Sequence, residues 1–450
     1  MHLTDKSIQT IHAVLDNMIA HRPANPQHRP GAIFLGLSSF EMLAMFRRGL
    51  FYTYLSIYLR HFLGMSVTET TLFATFPMVA NVLCQTFVWG TISDRYQVRR
   101  TLIICGEALA GVGTVMVWYA HILPVQRIHA GWVIITGLTV VELFWSMSNV
   151  GWSALISDIY SARERNTVQG RLASVGGVGR MAGVWIGGIL YDGMGHYYAG
   201  WGFQNGALFF IAAGVMFISI VPMLRVPEGG IMAADPGTKA PEDPVESGSE
   251  RVFVIFLVAM VLINFGRNSI AVIIPQYLVL ESGFAVSSKM LGYIVNTQSA
   301  AMILTGLVSG WLGRRLGDGP VLIVGSVLAM AAIGFFALTD SLALVFGINF
   351  LRGVSEVIIL ATSYAFSSVL IPPAKRARYF GLFNATFFLS WGVAGTLIAG
   401  PVTDMMIGRG APEVLAYRWA FVSASVLTLL GVIILGRLLW TLRARGHARA

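Results

Sequence analysis

Charged side chains stand in this chain where lipid or protein interior gives them no water. Glu41, Arg47 and Arg48 lie within one long apolar run, Glu142 in a second, Arg180 in a third, Arg267 in a fourth, and Arg352 with Glu356 in a fifth. A charge at the centre of a membrane helix costs roughly 2.5 to 3.5 kcal/mol on insertion scales, so several of them need a common cause. Residue type limits what that cause can be. An arginine offers a planar fork of N–H donors suited to an oxyanion and keeps its proton at working pH. Proton carriage therefore falls to Glu41, Glu142 and Glu356, because a carboxylate that alternately meets and loses an arginine changes its proton affinity. None of the nine histidines stands clearly mid-span, and no nucleophile, base and orienting group are clustered, so an enzyme is not expected. No glycine loop of the nucleotide-hydrolysing type occurs, and no cofactor is implied.

Spacing refines the set. Glu41 and Arg48 are two helical turns apart on one face, and Arg352 and Glu356 are one turn apart. Arg47 points about 100° away from Arg48, which predicts that the two serve different places. The alternative to solute binding is that the arginines only pair with Glu41, Glu142 or Glu356 and hold helices together. Glu107 lies near the start of its own run and is set aside. Tyr52, Trp152, Asn268 and Gln298 are the neighbouring polar and aromatic side chains expected to line a site, with Trp145, Asn149, Asn264, Asn296, Tyr364 and Trp391 also in reach.

The elements that must carry these residues are helices in a membrane. Of the 450 residues, 55% are hydrophobic and only 12% charged, too apolar for a water-soluble globule. Runs of roughly 20 apolar residues fit helical spans and not the alternation of barrel strands. Twelve spans are expected: Gly31 to Leu59, Val67 to Ile92, Leu102 to His121, Gly131 to Ile156, Val168 to Tyr191, Asn205 to Leu224, Val252 to Leu280, Lys289 to Leu312, Val321 to Leu338, Ser341 to Leu370, Phe380 to Met406 and Trp419 to Trp440. The division is residues 1–30 as an amphipathic surface helix and linker, 31–225 and 251–440 as two six-helix bundles, 226–250 as a Pro, Gly and acid-rich linker, and 441–450 as a tail. Most loop Lys and Arg fall on the side of both termini, leaving Arg60, Arg127, Lys289, Arg409 and Arg418 opposite, which predicts cytoplasmic termini. The net charge of +9 is thus read as topology, and nucleic acid is discounted. Cys84 and Cys105 read as core side chains.

The halves repeat at a nearly constant offset. Phe46, Arg48, Tyr58 and Leu59 recur as Phe265, Arg267, Tyr277 and Leu278; Gly90 as Gly310; Arg165 and Gly170 as Arg376 and Gly381; and Gly183, Gly188 and Asp192 as Gly395, Gly400 and Asp404. A duplicated six-span unit explains matches that keep chain order. It selects Arg48, the counterpart of Arg267, over Arg47.

Between the second and third spans stands Gly90-Thr-Ile-Ser-Asp94-Arg95-Tyr-Gln-Val98-Arg99-Arg100, which reads as a short water-exposed hinge. Asp94 could accept from Arg95 or from a helix N-terminus, making a latch between bundles. This stretch resembles the hinge loop of the major facilitator superfamily, with Val98 where that family has a glycine. The loop from Asp158 through Arg165 to Gly170 resembles its second cytoplasmic loop, and together they form the expected gate: Gly90, Asp94, Arg95, Arg99, Arg100, Asp158 and Arg165. The resemblance implies an all-α membrane protein of two six-helix bundles on a pseudo-twofold axis, with helices one, two, four, five, seven, eight, ten and eleven around a central cavity. The segments Arg48 to Leu59 and Arg267 to Leu278 resemble the first and seventh helices of organophosphate:phosphate antiporters, where such arginines bind phosphate. The glycines Gly176, Gly179, Gly183, Gly187 and Gly188 resemble the stripe of drug:proton antiporters but lack its proline. Arg352-Gly353 looks like the family's arginine-glycine motif.

The function expected is a monomeric secondary transporter of a bacterial-type inner membrane that moves a small organic, anionic or amphipathic solute by alternating access. Arg48, Arg267, Arg180, Tyr52, Asn268, Trp152 and Gln298 would bind solute, and Glu41, Glu142 and Glu356 would couple protons. The alternatives are a proton-driven multidrug exporter, and a non-transporting receptor or assembly partner on the same scaffold. The partners implied are solute, proton and lipid.

Overall fold

The computed structural model describes residues 30–160, 162–230, 250–371 and 376–444. The surface helix expected before residue 30 and the middle of the inter-bundle linker lie outside them. Twelve helical passes make up the described residues: α1 (Pro30–Ile57), α2 (Val67–Tyr96), α3 (Arg100–His121), α4 (Arg127–Ile159), α5 (Ala162–Tyr191), α6 (Ala207–Met223), α7 (Glu250–Leu278), α8 (Ser288–Leu316), α9 (Asp318–Leu338), α10 (Leu342–Leu370), α11 (Arg376–Ala394, prolonged to Gly408) and α12 (Glu413–Ala444). Ten of these are long and apolar enough to span a bilayer. The exceptions are α1, interrupted by Glu41, Arg47 and Arg48, and the shorter α6. No strand occurs among the described residues.

Proline and wide turns shape the helices that matter most. Pro275 lacks the N–H that would bond the Ala271 carbonyl, and α7 breaks at Ile270–Val272 before resuming at Ile273–Leu278. Five-residue π turns end α1 (Tyr58–Phe62) and interrupt α2 (Gln85–Trp89) and α11 (Gly395–Ala399). Such turns let a helix re-aim without losing its backbone bonding.

Glycines set the closest approach within the first half. Gly183 lies against the Phe46 carbonyl and Gly49 against the Arg180 carbonyl, so a side chain at either would part α5 from α1. The glycine stripe of α5 is therefore the packing seam on α1.

Packing is continuous at one end of the molecule and divided at the other. On the face remote from the described ends of the chain, one buried cluster joins both halves, with Leu50, Tyr54 and Tyr58 meeting Ile273, Tyr277 and Tyr417. On the terminal face there are two cores instead: Leu37, Phe40, Ile103, Leu155 and Met223 in the first half, and Phe253, Phe256, Ile359, Phe366 and Leu435 in the second. The hydrogen bonds and ion pairs that cross between halves follow the same division. Among the described residues they join Tyr54 and Asp192 to Ser288, Arg60 to Glu413, His61 to Gln276, Val67 and Thr68 to Asp404, Thr71 and Thr75 to Thr396, Thr75 to Gly392, and Met181 to Asn296. These contacts lie on the remote side or at mid-depth, and beyond them the cleft between halves separates the two terminal-side cores.

The expected hinge is shorter than its sequence suggests. Gly90–Tyr96 continues α2 as helix, and the chain turns only at Gln97, whose φ is 52°. Arg99 is buried at 4% exposure.

Candidate functional site

In the first half the charges meet around one indole. The Arg47 and Arg48 guanidinium groups stand 4.4 and 4.5 Å from the centre of the Trp145 ring, a cation–π contact that strengthens away from water. The expected separation of the two arginines does not hold, because long side chains from adjacent positions can bend to a common target. Trp145 donates to Glu107 at 2.7 Å, Ser148 donates to the same oxygen at 3.0 Å, and Arg47 lies 3.9 Å from the other. Arg47 and Glu107 are only 3% and 2% exposed. The Arg47 Nε and Nη2 have no protein partner and edge a void of about 10 Å³, also lined by Tyr52 and Thr114, room for one water. Glu107, set aside on sequence, is thus the acceptor that fixes this group.

Arg48 differs from its neighbour in being solvent-exposed although mid-helix, and among the described residues it donates to the Met45 sulfur at 3.9 Å. Glu41, Glu142 and Tyr52 lie within range of its charge. Glu142 is buried and accepts from Asn81, whose own carbonyl accepts from Gln85 at the α2 π turn. Tyr52 stacks on Phe73, with ring centroids 6.4 Å apart. Trp152 is displaced from the site: it packs on Phe40 in the terminal-side core, ring centroids 5.1 Å apart. Trp145, two turns earlier on the same helix face, has the place expected of Trp152.

In the second half the charges gather on α10. Glu356 is the midpoint of Leu342–Leu370 and accepts from Gln298 of α8 at 3.0 Å. Arg352 stands one turn before it and donates to Asn349 at 3.1 Å. Arg267 donates through Nε to Asn264 at 3.0 Å and lies 5.3 Å from the Phe387 ring centre, leaving its buried Nη2 without a partner. Arg180, from α5 of the first half, shares that electrostatic neighbourhood: Arg180, Arg267 and Arg352 are all within range of Glu356. Among the described residues none of the three forms an ion pair shorter than 4.0 Å. Asn268 instead ties α7 to α11 through Ser390 at 2.7 Å. Among the described residues no hydrogen bond, ion pair or ring contact joins Arg48 to Arg267, and the arginines that share a carboxylate's range with Arg267 are Arg180 and Arg352 instead.

The gate residues form a network within the first half. Buried Arg99 donates to Asp158 at 3.0 Å, to Asp94 at 3.3 Å and to Ser93. Asp94 is thus paired with Arg99 instead of Arg95, which lies over Tyr96. Glu228, just after α6, accepts the backbone N–H of Arg99 and Thr101 and the Thr101 hydroxyl, and forms an ion pair with Arg100 at 3.2 Å. That anchors the start of the linker on the N-terminus of α3, a carboxylate placement the helix dipole favours. Gly90 closes the α2 π turn on the Gln85 carbonyl, and the Arg165 side chain lies outside the described residues. The latch therefore ties α2, α3, α4 and the linker together, and the expected bridge to the other bundle is absent among the described residues.

The remote closure is the part of the site sequence reasoning left without a role. Asp404 of α11 accepts the backbone N–H groups of Val67 and Thr68, at 2.9 and 2.8 Å, at the start of α2. Its counterpart Asp192 of α5 accepts the Ser288 hydroxyl at 2.9 Å at the start of α8. Gly400 and Gly188 leave room for these approaches, a Cβ on either coming within 2.8 Å of Thr68 Cα or the Ser288 carbonyl. The Gly–Asp repeat was the signal; what each aspartate faces was not.

Comparison with known proteins agrees with this architecture. The sequence model of the Major Facilitator Superfamily matches residues 37–394 and 256–449. An uncharacterised MFS-type transporter of Mycobacterium tuberculosis is 31% identical over 157 residues, 33% of this chain, with the same figures in a second strain. The chain spans about a fifth of the length of those relatives, the match covering 20% of them. Among solved structures, a bacterial homologue of the human lysosomal transporter Spinster, in an inward-facing and unoccupied conformation, superposes with a TM-score of 0.69 at 15% identity, over 92% of this chain and 98% of that one. The nucleoside transporter NupG superposes with a TM-score of 0.67 at 16% identity, over 89% and 98%.

Proposed function

Since the chain belongs to the Major Facilitator Superfamily, a family of multi-pass membrane transporters, we propose that it moves a small organic anion by proton-coupled alternating access. The observation that carries this reading is that Arg180 of the first half and Arg267 and Arg352 of the second all lie within electrostatic range of one carboxylate, Glu356. Cations buried at mid-depth are costly unless a counter-charge joins them, and an oxyanion solute is the counter-charge a transporter can supply. Glu142 and Glu41, in the first half, take the proton-carrying role, since the arginines keep theirs. The open face, by the distribution of Lys and Arg, is the cytoplasmic one, and the remote closure is the barrier that must part for the cleft to face outward.

Reconstitution tests this directly. Proteoliposomes with an imposed pH gradient should accumulate carboxylates or phosphate esters, and Glu142→Gln should abolish uphill accumulation while leaving solute exchange. Flux of neutral solutes alone, or of no solute, would refute the reading. A second reading, export of lipophilic cations in exchange for protons, is favoured by the acid excess of the first half. It predicts that Glu142→Gln removes resistance to such cations in cells expressing the protein.

A further inference from the structure

Charge at the second-half site does not balance. Arg352 stands one turn before Glu356 on α10, Arg180 adjoins Met181, whose carbonyl accepts from Asn296 of α8 at 3.0 Å, and both, with Arg267 of α7, lie within electrostatic range of that single carboxylate. Gln298 of α8 donates to that carboxylate at 3.0 Å, and the adjoining helix α9 carries no ionisable side chain after Asp318. Arg267 is more than nine-tenths buried, and its Nη2 has no acceptor. Arg180 makes no hydrogen bond or ion pair among the described residues, and the charge within its range is Glu356 of the other half. With Glu356 ionised the site holds two positive charges in excess, and with donors left over.

We propose that this trio is a binding site for an oxyanion carrying two negative charges, a dicarboxylate or a phosphate monoester, and that Glu356 sets this charge preference by cancelling one arginine. This rests on the anion reading above and narrows it. Arg267 and Arg352 supply forked donors from the second half, and Arg180 supplies one from the first, so the bound solute touches both sides of the cleft. Gln298 holds the Glu356 carboxylate in place, so that the third arginine is neutralised by the protein and not by the solute. A monoanion would leave one charge uncompensated in a low-dielectric site, and a trianion would overfill it.

The test is competition against accumulated substrate in proteoliposomes, with solutes matched in size and differing in charge: succinate against monomethyl succinate, and glycerol 3-phosphate as the phosphate arm, with citrate as the trianion. Succinate should compete at least about tenfold better than its monomethyl ester, about 1.4 kcal/mol. Glu356→Gln should move the preference toward citrate, and Arg180→Gln toward the monoester. Arg180→Lys keeps the charge and should keep the preference, which separates a charge effect from a folding defect. The relative inhibition by glycerol 3-phosphate and succinate tells which oxyanion the site takes. Anion transport with equal inhibition by succinate and its monoester, or a preference unmoved in Glu356→Gln, would overturn this inference alone. Absence of any anion transport would overturn the reading beneath it as well.

Discussion

Arg48 and Arg267 occupy the same position in the two repeats and live in opposite surroundings. Arg48 is open to solvent over the Trp145 indole, with Glu41 and Glu142 in range. Arg267 is buried, fixed by Asn264 and faced by the Phe387 ring. Around the first stand three carboxylates, Glu41, Glu107 and Glu142, against Arg47 and Arg48; around the second stands Glu356 against Arg267, Arg352 and the visiting Arg180. Duplication kept the backbone position and the arginine. The neighbouring helices then drew the two surroundings apart, acid-rich in one half and arginine-rich in the other.

The largest expected difference lies in stability. Glu107→Gln removes the negative charge beside Arg47, both groups being almost wholly buried, and should cost about 3 kcal/mol because it strands a cation in the interior. Asn264→Ala in the second half removes a neutral acceptor from Arg267 and should cost about 1 kcal/mol. Thermal unfolding of the purified variants in detergent measures both. Equal losses would mean that the two arginines are held in the same way after all.

Function should divide in the reverse sense. Arg267→Ala removes charge-assisted donors worth about 1.5 to 3 kcal/mol, or roughly 10- to 100-fold in anion affinity, whereas Arg48→Ala should cost less than about fivefold by the same scale. Competition in proteoliposomes reads the ratio. If both variants lose affinity alike, the symmetric clamp expected from the repeat is restored and the asymmetric trio falls.

What sequence disclosed and what it hid follow from the same asymmetry. Apolar runs of membrane length and the recurrence of one half in the other, Arg48 as Arg267 among them, were enough for the fold, and the ionisable residues inside those runs marked where charge had to find a partner, because lipid punishes charge wherever it stands. The partners were not legible. Trp145 and Trp152 share one face of α4, and only the tilt of neighbouring helices decides which meets the arginines. Glu107 lies two turns from the start of α3, where an interfacial position is the natural expectation, yet Trp145, Ser148 and Arg47 enclose it from two other helices. Asp94 and Arg99 looked like loop residues because nothing local shows that Asp158 and Glu228 would come to bury Arg99 and continue α2 as helix to Tyr96.

The smallest effect should appear at the remote closure, where the halves again solve one problem differently. Asp404 accepts two backbone N–H groups at the N-terminus of α2, beside the Ser66 cap and its Glu69 partner. Asp192 accepts across the halves from the Ser288 hydroxyl at the start of α8, where the Ser287 side chain already caps the helix, and its other oxygen takes the Gly195 N–H of its own half. Asp404→Asn keeps one acceptor oxygen but loses the charge facing the helix dipole and one hydrogen bond, about 1 kcal/mol in all. Those contacts exist only while the remote side is shut, so the variant should favour its opening about fivefold. Asp192→Asn should do so by no more than about twofold on the same reasoning. Spin labels at His129→Cys and Glu281→Cys, both exposed on the remote face of opposite halves, would report the populations by distance once Cys84 and Cys105 are replaced by serine. Equal shifts in the two variants would show that the closure is symmetric in energy as well as in sequence, and that the halves differ only in their charged sites.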